Sequence, residues 1–316
     1  MTKTFDFQTY LADGRKKVED RLKLVFDQER PALHASLYEA MSYSVLNGGK
    51  RLRALLCLAS AQACKKYSVS RDKTDDQIEE MVMPLACALE MVHAMSLIHD
   101  DLPCLDNDEL RRGKPTNHRV FGEAMALLAG DGLLVFANEY LIGESLEKVL
   151  PQDLLAVSHG LSRALGPTGM VGGQVLDMSN TGSADGQLDL VVLENIHNGK
   201  TGALIRFCLW GGARAIGADE LRLSAMARFG EILGLAFQIT DDLLDVTGDA
   251  ASLGKTPGKD AQSNKATFVR LLGLDGARNK LEMLHKEGSS VLSRALDQNE
   301  QQILSNLLDY AINRIN

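Results

Sequence analysis

The sequence predicts an all-α fold, and three observations predict it. Its seven prolines, at Pro31, Pro84, Pro103, Pro115, Pro151, Pro167 and Pro257, leave long stretches free of proline. Those stretches place apolar residues at i, i+3, i+4 and i+7, as in Leu52, Leu55, Leu56 and Ala59 or Phe229, Ile232, Leu233 and Ala236. Aromatic residues make up only 5% of the chain, and strand-like alternation bounded by turn residues is scarce.

Taken in order, Asn47-Gly48-Gly49 breaks the chain ahead of a helix expected to start near Lys50. Residues 67–76 are polar and read as a loop, and Pro84 is expected in the first turn of the next helix, where its missing N–H costs nothing. That helix should run to about Asp101, where Pro103 stops it. Gly166-Pro167 and residues 180–187 mark further breaks, and the polar residues 249–264 read as another loop. No Ser/Pro-rich linker, shift in composition or solenoid repeat divides the chain, so one helical domain over residues 1–316 is expected. There is one weak internal echo. An apolar helix ending in Asp-Asp-Leu occurs at Asp100 and again at Asp241.

A chain of 316 residues can bury a large core, and 45% hydrophobic with 24% charged residues is ordinary for a globular protein. A net charge of −8 argues against a general nucleic-acid binder, which needs a basic face, but leaves small phosphorylated ligands open. Five scattered cysteines (Cys57, Cys64, Cys87, Cys104 and Cys208) form no CxxC pair, which points to a reducing compartment without structural zinc. The N-terminus carries no apolar signal-like stretch and no window holds eighteen uninterrupted apolar residues. The expectation is a soluble, cytoplasmic protein without a membrane span.

The chemistry concentrates in a few places. In His99-Asp100-Asp101-Leu102-Pro103-Cys104-Leu105-Asp106, two carboxylates follow an apolar run at the C-terminal end of a helix. There they meet mutual repulsion and the negative end of the helix dipole, a problem that a divalent cation removes. In Gln238-Ile239-Thr240-Asp241-Asp242-Leu243-Leu244-Asp245, Asp241 and Asp245 share one helix face after a second apolar run. Two such ends suggest carboxylates lining a cavity and holding Mg²⁺ ions that clamp a diphosphate. Cations stand near both. Lys50 and Arg53 are expected on one helix face just after the glycine pair, a good anion site. Arg111 and Arg112 follow the first acidic motif, and Lys200-Thr201 and Lys255 lie near expected helix ends. His93, two turns before Asp100, could donate a hydrogen bond to an anion, whereas His99 and His118 read as structural.

In this order the motifs resemble the trans-isoprenyl diphosphate synthase family, the polyprenyl synthetases. Matching segments are GGKRLRALL (residues 48–56), MSLIHDDLPCLDNDELRRGKPTNHRVFGE (95–123), GGQVLD (172–177), KTGAL (200–204), GLAFQITDDLLDVTGD (234–249) and LGKTPGKD (253–260). The resemblance implies an all-α bundle around a deep central cavity, a homodimer, and three Mg²⁺ per active site. It implies a reaction between isopentenyl diphosphate and an allylic diphosphate (dimethylallyl or geranyl). Matched to the family, Asp100, Asp101, Asp106, Asp241, Asp242 and Asp245 hold metal. Lys50, Arg53, His93 and Arg112 match the isopentenyl diphosphate site, and Arg111, Lys200, Thr201, Gln238 and Lys255 match contacts to the allylic diphosphate or its cation. The segment from Asp275 on matches poorly and is expected to supply only helices.

Product length should depend on what blocks the cavity below the first acidic motif. At about 1.5 Å of rise per residue, Ser96 and Met95 lie roughly 6–8 Å below Asp100. Methionine is long but flexible, and family members similar in sequence with Met there often make the C20 product, geranylgeranyl diphosphate, whereas the two extra residues Pro103-Cys104 are associated in the family with short products such as farnesyl diphosphate (C15). Two rivals differ in kind. A terpene cyclase normally replaces the second acidic motif with an Asn/Ser/Glu pattern, and a non-catalytic synthase subunit tends to lose metal or diphosphate residues. This chain keeps both sets.

Overall fold

The computed structural model describes residues 5–29, 34–180, 189–247 and 267–313. The described residues are helical almost throughout: α1 (Phe7–Glu29), α2 (Ala35–Val45), α3 (Leu52–Cys64), α4 (Asp75–Asp100), α5 (Asn117–Phe121), α6 (Glu123–Ser145), α7 (Pro151–Leu165), α8 (Met170–Asn180), α9 (Leu190–His197), α10 (Ala203–Ala215), α11 (Glu220–Thr247), α12 (Phe268–Ala295) and α13 (Gln298–Ile312). A π-helical turn, Asn198–Gly202, joins α9 to α10. The only strands among the described residues are β1 (Leu110–Arg111) and β2 (Lys114–Pro115), a minimal antiparallel hairpin. The breaks expected over 180–187 and 249–264 lie outside the described residues, apart from Asn180 at the end of α8.

Helix α4 is the spine of the bundle. It is apolar on nearly every side, and it packs against α3 and α6. Its start corrects the expectation for Pro84. Thr74 and Gln77 form a capping box, with Thr74 Oγ1 accepting from the Gln77 N–H and Gln77 Oε1 from the Thr74 N–H at 2.8 Å. Asp75 and Asp76 then complement the helix dipole, so the helix begins well before the proline and Pro84 is buried in its interior. The other end falls as expected, at Asp100. Helix α10 packs against α11, α3 and α7, and α11 against α12. A second apolar cluster (Ile232, Ile239, Leu243, Phe268, Leu281 and neighbours) fastens α11 to α9 and α12.

Two helices are long and apolar enough to cross a membrane by length and composition: Asp75–Asp100 and Glu123–Ser145. A count of uninterrupted apolar residues overlooks both. The window in α4 is 83% buried and is core, whereas that in α6 is only 39% buried. On α6, Ala126, Ala129, Gly130, Leu133 and Ala137 face inward, and Leu127, Leu128, Val135 and Ile142 face out.

Candidate active site

The acidic ends of α4 and α11 meet cations brought by α3, by the hairpin and by the π-helical turn. After α4 the chain turns back tightly, with the Asp106 N–H on the Asp100 carbonyl at 2.8 Å. The hairpin then reverses through Arg112-Gly113, both at positive φ (54° and 77°). That is the two-residue turn whose twist matches antiparallel strands, although Asn or Gly normally takes the first position. It aims Arg111 back at α4. Arg111 Nε reaches both carboxylate oxygens of Asp101, at 2.9 and 2.8 Å, and Asp108 lies 3.5 Å from Nη2. Burial pushes the Asp101 carboxyl up and the Arg111 fork opposes that; the two-pronged contact favours the ion pair.

Asp100 is half-buried. Burial raises its pKa, the neighbouring carboxylates Asp106 and Asp101 add to the rise, and Lys200 and Arg111 oppose it. Lys200 comes from the π-helical turn and donates to Asp177 Oδ2 at 2.6 Å. Burial would lower its pKa, but Asp177, Asp100 and Asp106 outweigh that and raise it. Gly173, in the GGQVLD motif, makes the contact possible, because a Cβ there would collide with the Lys200 backbone nitrogen. Thr201 is half-buried beside it, and Gln238 is half-buried one turn before Asp242.

In the second acidic motif Asp241 is exposed, Asp245 is half-buried and Asp242 is buried. Asp242 Oδ2 accepts from the Phe268 N–H at 2.7 Å, which fastens the start of α12. Asp101 and Asp242, both expected as metal ligands, are therefore engaged in holding a neighbouring element.

The cationic residues cluster around the start of α3, with a correction for Lys50. The helix begins at Leu52, and Arg51 sits before it at φ 51°. Lys50 therefore precedes the helix and does not share a face with Arg53. It is exposed, with its ammonium over the Tyr310 ring. Gly48 and Gly49 stand at φ 71° and 124°, and Arg112 covers them, donating to the Gly48 carbonyl. The φ of 124° favours glycine at Gly49, and the Arg112 guanidinium rests where a Cβ would project. Arg53 has a buried Nε without a hydrogen-bond partner. Burial lowers its pKa, and Glu90 and Asp241 are among the groups that oppose this. His93 also has a buried, unpartnered Nδ1, and burial together with Arg53 and Arg112 drives its pKa well below the usual value. It is a neutral donor and acceptor close to these arginines.

Several members escape sequence reasoning. Glu90 is 3% exposed, accepts from the Ala54 N–H at 3.1 Å and lies 3.6 Å from Arg51. Arg51, also buried, donates to the Val45 carbonyl at 2.8 Å. The available signal was a lone carboxylate in the apolar run of α4. Asp177 stood in a quoted motif without a role, and Tyr310 had no signal at all. Met95 is buried on α4, and Ser96 Oγ donates to the His93 carbonyl at 2.9 Å. His99 bonds the Leu127 carbonyl at 3.2 Å and His118 is buried beside Thr116, both in packing positions. Lys255 lies outside the described residues.

Among the described residues, no three carboxylate, imidazole or thiol groups stand close enough to hold one ion together. The donor chemistry nevertheless fits a hard divalent cation, since Asp100 is a desolvated carboxylate raised further by two others.

A family model described as polyprenyl synthetase matches residues 34–301. A farnesyl diphosphate synthase of Geobacillus stearothermophilus is 44% identical over 275 residues, covering 87% of each chain. A chloroplastic geranylgeranyl pyrophosphate synthase of Catharanthus roseus is 42% identical over 290 residues, 92% of this chain and 76% of the relative. Among solved structures, an apo FPP/GFPP synthase from Zymomonas mobilis superposes with a TM-score of 0.80 at 34% identity, covering 96% of this chain and 99% of that one. The helical architecture, the two acidic helix ends and these matches agree: this chain belongs to the polyprenyl synthetase family.

Proposed function

We propose that this chain is a short-chain trans-prenyltransferase, which joins isopentenyl diphosphate to dimethylallyl diphosphate, adds a second isopentenyl unit to the geranyl diphosphate so formed, and yields farnesyl diphosphate. The observation that carries the proposal is the meeting of two carboxylate-bearing helix ends with desolvated cations. Burial raises Asp100, and Arg53 and His93 keep buried nitrogens without partners.

In this reading Lys200, Thr201, Gln238, Arg111 and Lys255 take the allylic diphosphate, and Lys50, Arg53, Arg112 and His93 take that of isopentenyl diphosphate. The allylic C–O bond breaks and its electron pair leaves with the diphosphate. The isopentenyl double bond then forms the new C–C bond, and the released pyrophosphate takes the proton. Magnesium, when bound, supplies positive charge to the leaving diphosphate, held by Asp100, Asp106, Asp241 and Asp245. Asp101 and Asp242 act by anchoring Arg111 and α12. His93, held well below its usual value by burial and by Arg53 and Arg112, meets the ligand as a neutral imidazole that can donate. The apolar outer face of α6 supports a homodimer, with a second copy covering Leu127, Leu128, Val135 and Ile142.

The buried, flexible Met95 below the acidic end of α4 favours a second reading, a C20 product. Mass spectrometry of the diphosphates formed from each allylic primer tests both. A dominant C15 product supports the first reading and a dominant C20 product the second. Met95→Phe should shorten the product; an unchanged spectrum would remove Met95 as the floor.

A further inference from the structure

We infer that Tyr310, on α13, is a positioning residue for Lys50 and tunes affinity for the diphosphate of isopentenyl diphosphate; the inference rests on the function proposed above. The Lys50 ammonium lies 5.7 Å from the centroid of the Tyr310 ring, inside the range of about 6 Å in which a cation is attracted to a ring face. The ring is itself held. Tyr310 is half-buried, and Phe7 of α1 meets it edge-on, with centroids 6.1 Å apart and planes at 62°. Helix α13 packs against α3, so residues distant in the chain converge on one exposed lysine. The C-terminal segment therefore does more than supply helices.

The chemistry explains why a ring is suited to this place. Lys50 follows Gly49, on which the Arg112 guanidinium rests, and precedes Arg53 by three residues. Neighbouring cations repel, and a lysine on a flexible four-carbon stem would turn toward water. A carboxylate could restrain it, but an incoming diphosphate would have to displace that carboxylate. Among the described residues Lys50 forms no ion pair. The negative face of the tyrosine ring steadies the ammonium and leaves its donors to the ligand.

The test compares Tyr310→Phe, which keeps the ring, with Tyr310→Leu, which removes it, in the full-length chain. The KM for isopentenyl diphosphate, the KM for geranyl diphosphate, kcat and Tm are measured for each. Tyr310→Leu should raise the KM for isopentenyl diphosphate about two- to fivefold, with the allylic KM and kcat unchanged, and Tyr310→Phe should match the wild type. Calorimetric titration with isopentenyl diphosphate reads the same loss without turnover. An unchanged KM in Tyr310→Leu, an equal loss in both variants, or a fall in kcat and Tm without a selective KM effect would each overturn the inference. A wild-type chain that binds isopentenyl diphosphate but does not elongate would refute the proposed activity and leave the binding comparison valid. One that neither binds nor elongates would refute both.

Discussion

The acidic end of α4 and the acidic end of α11 share the tripeptide Asp-Asp-Leu and are anchored in different ways. In both, the second aspartate is buried, Asp101 at 3% and Asp242 at 4% exposure. Asp101 is held by Arg111, ten residues further on in a hairpin that exists to return it. Asp242 is held by the Phe268 backbone, 26 residues further on, and so ties α11 to another helix. The first anchor is local and ionic, and it holds the hairpin against the end of α4. The second is long-range and couples the site to the smaller apolar cluster. In each pair the first aspartate, Asp100 or Asp241, is less buried than the second.

The largest effect should come from Asp100→Asn, which breaks the first motif on its ligand side. Turnover should fall about a hundredfold or more, on the scale seen when one preorganised electrostatic contact is removed. Thermal stability of the metal-free protein should rise, because burial raises the Asp100 pKa and the charged form is therefore a cost to the fold. That cost is present at neutral pH and disappears as pH falls below the unfolded value of about 4, so the variant's advantage should shrink in acid. A stability loss at neutral pH would contradict the assignment.

Next, Asp242→Ala should destabilise the protein by about 1–3 kcal/mol in urea unfolding, since the Phe268 N–H loses its acceptor in a buried position. Equal stability would show that the second anchor is dispensable. The smallest effect should be that of Arg111→Lys. It replaces a fork by a point charge on the partly exposed member of the pair and keeps the charge beside the buried Asp101, and about 1 kcal/mol or less of stability should be lost. A loss larger than that of Asp242→Ala would reverse the comparison.

The helical class was legible because proline spacing and the 3.6-residue period act locally, and α4 ends at Asp100, where the first acidic motif put it, whereas α11 carries the second acidic motif inside the helix and runs on to Thr247. Pro84 misled because the capping box at Thr74, ten residues upstream of it, fixes the helix start, and a buried helix tolerates the proline. Lys50 misled because helix-face arithmetic assumes helical dihedrals, and the left-handed Arg51 interrupts them. Spacing could place Asp101 and Asp242 near the site. It could not say which partners would occupy their oxygens, because those partners come from a hairpin and from another helix. The outward face of α6 escaped for a similar reason, since glycines, Asp131 and Glu139 interrupt its apolar run without interrupting its apolar surface.

The central claim is most directly tested by metal dependence. Purified protein is incubated with isopentenyl diphosphate and geranyl diphosphate while magnesium is titrated from full chelation upward, and elongated diphosphate is quantified by mass spectrometry. The account predicts no elongation in chelator and restored elongation as magnesium rises. Elongation that persists under full chelation, or none with any primer in folded, magnesium-supplied protein, would contradict it.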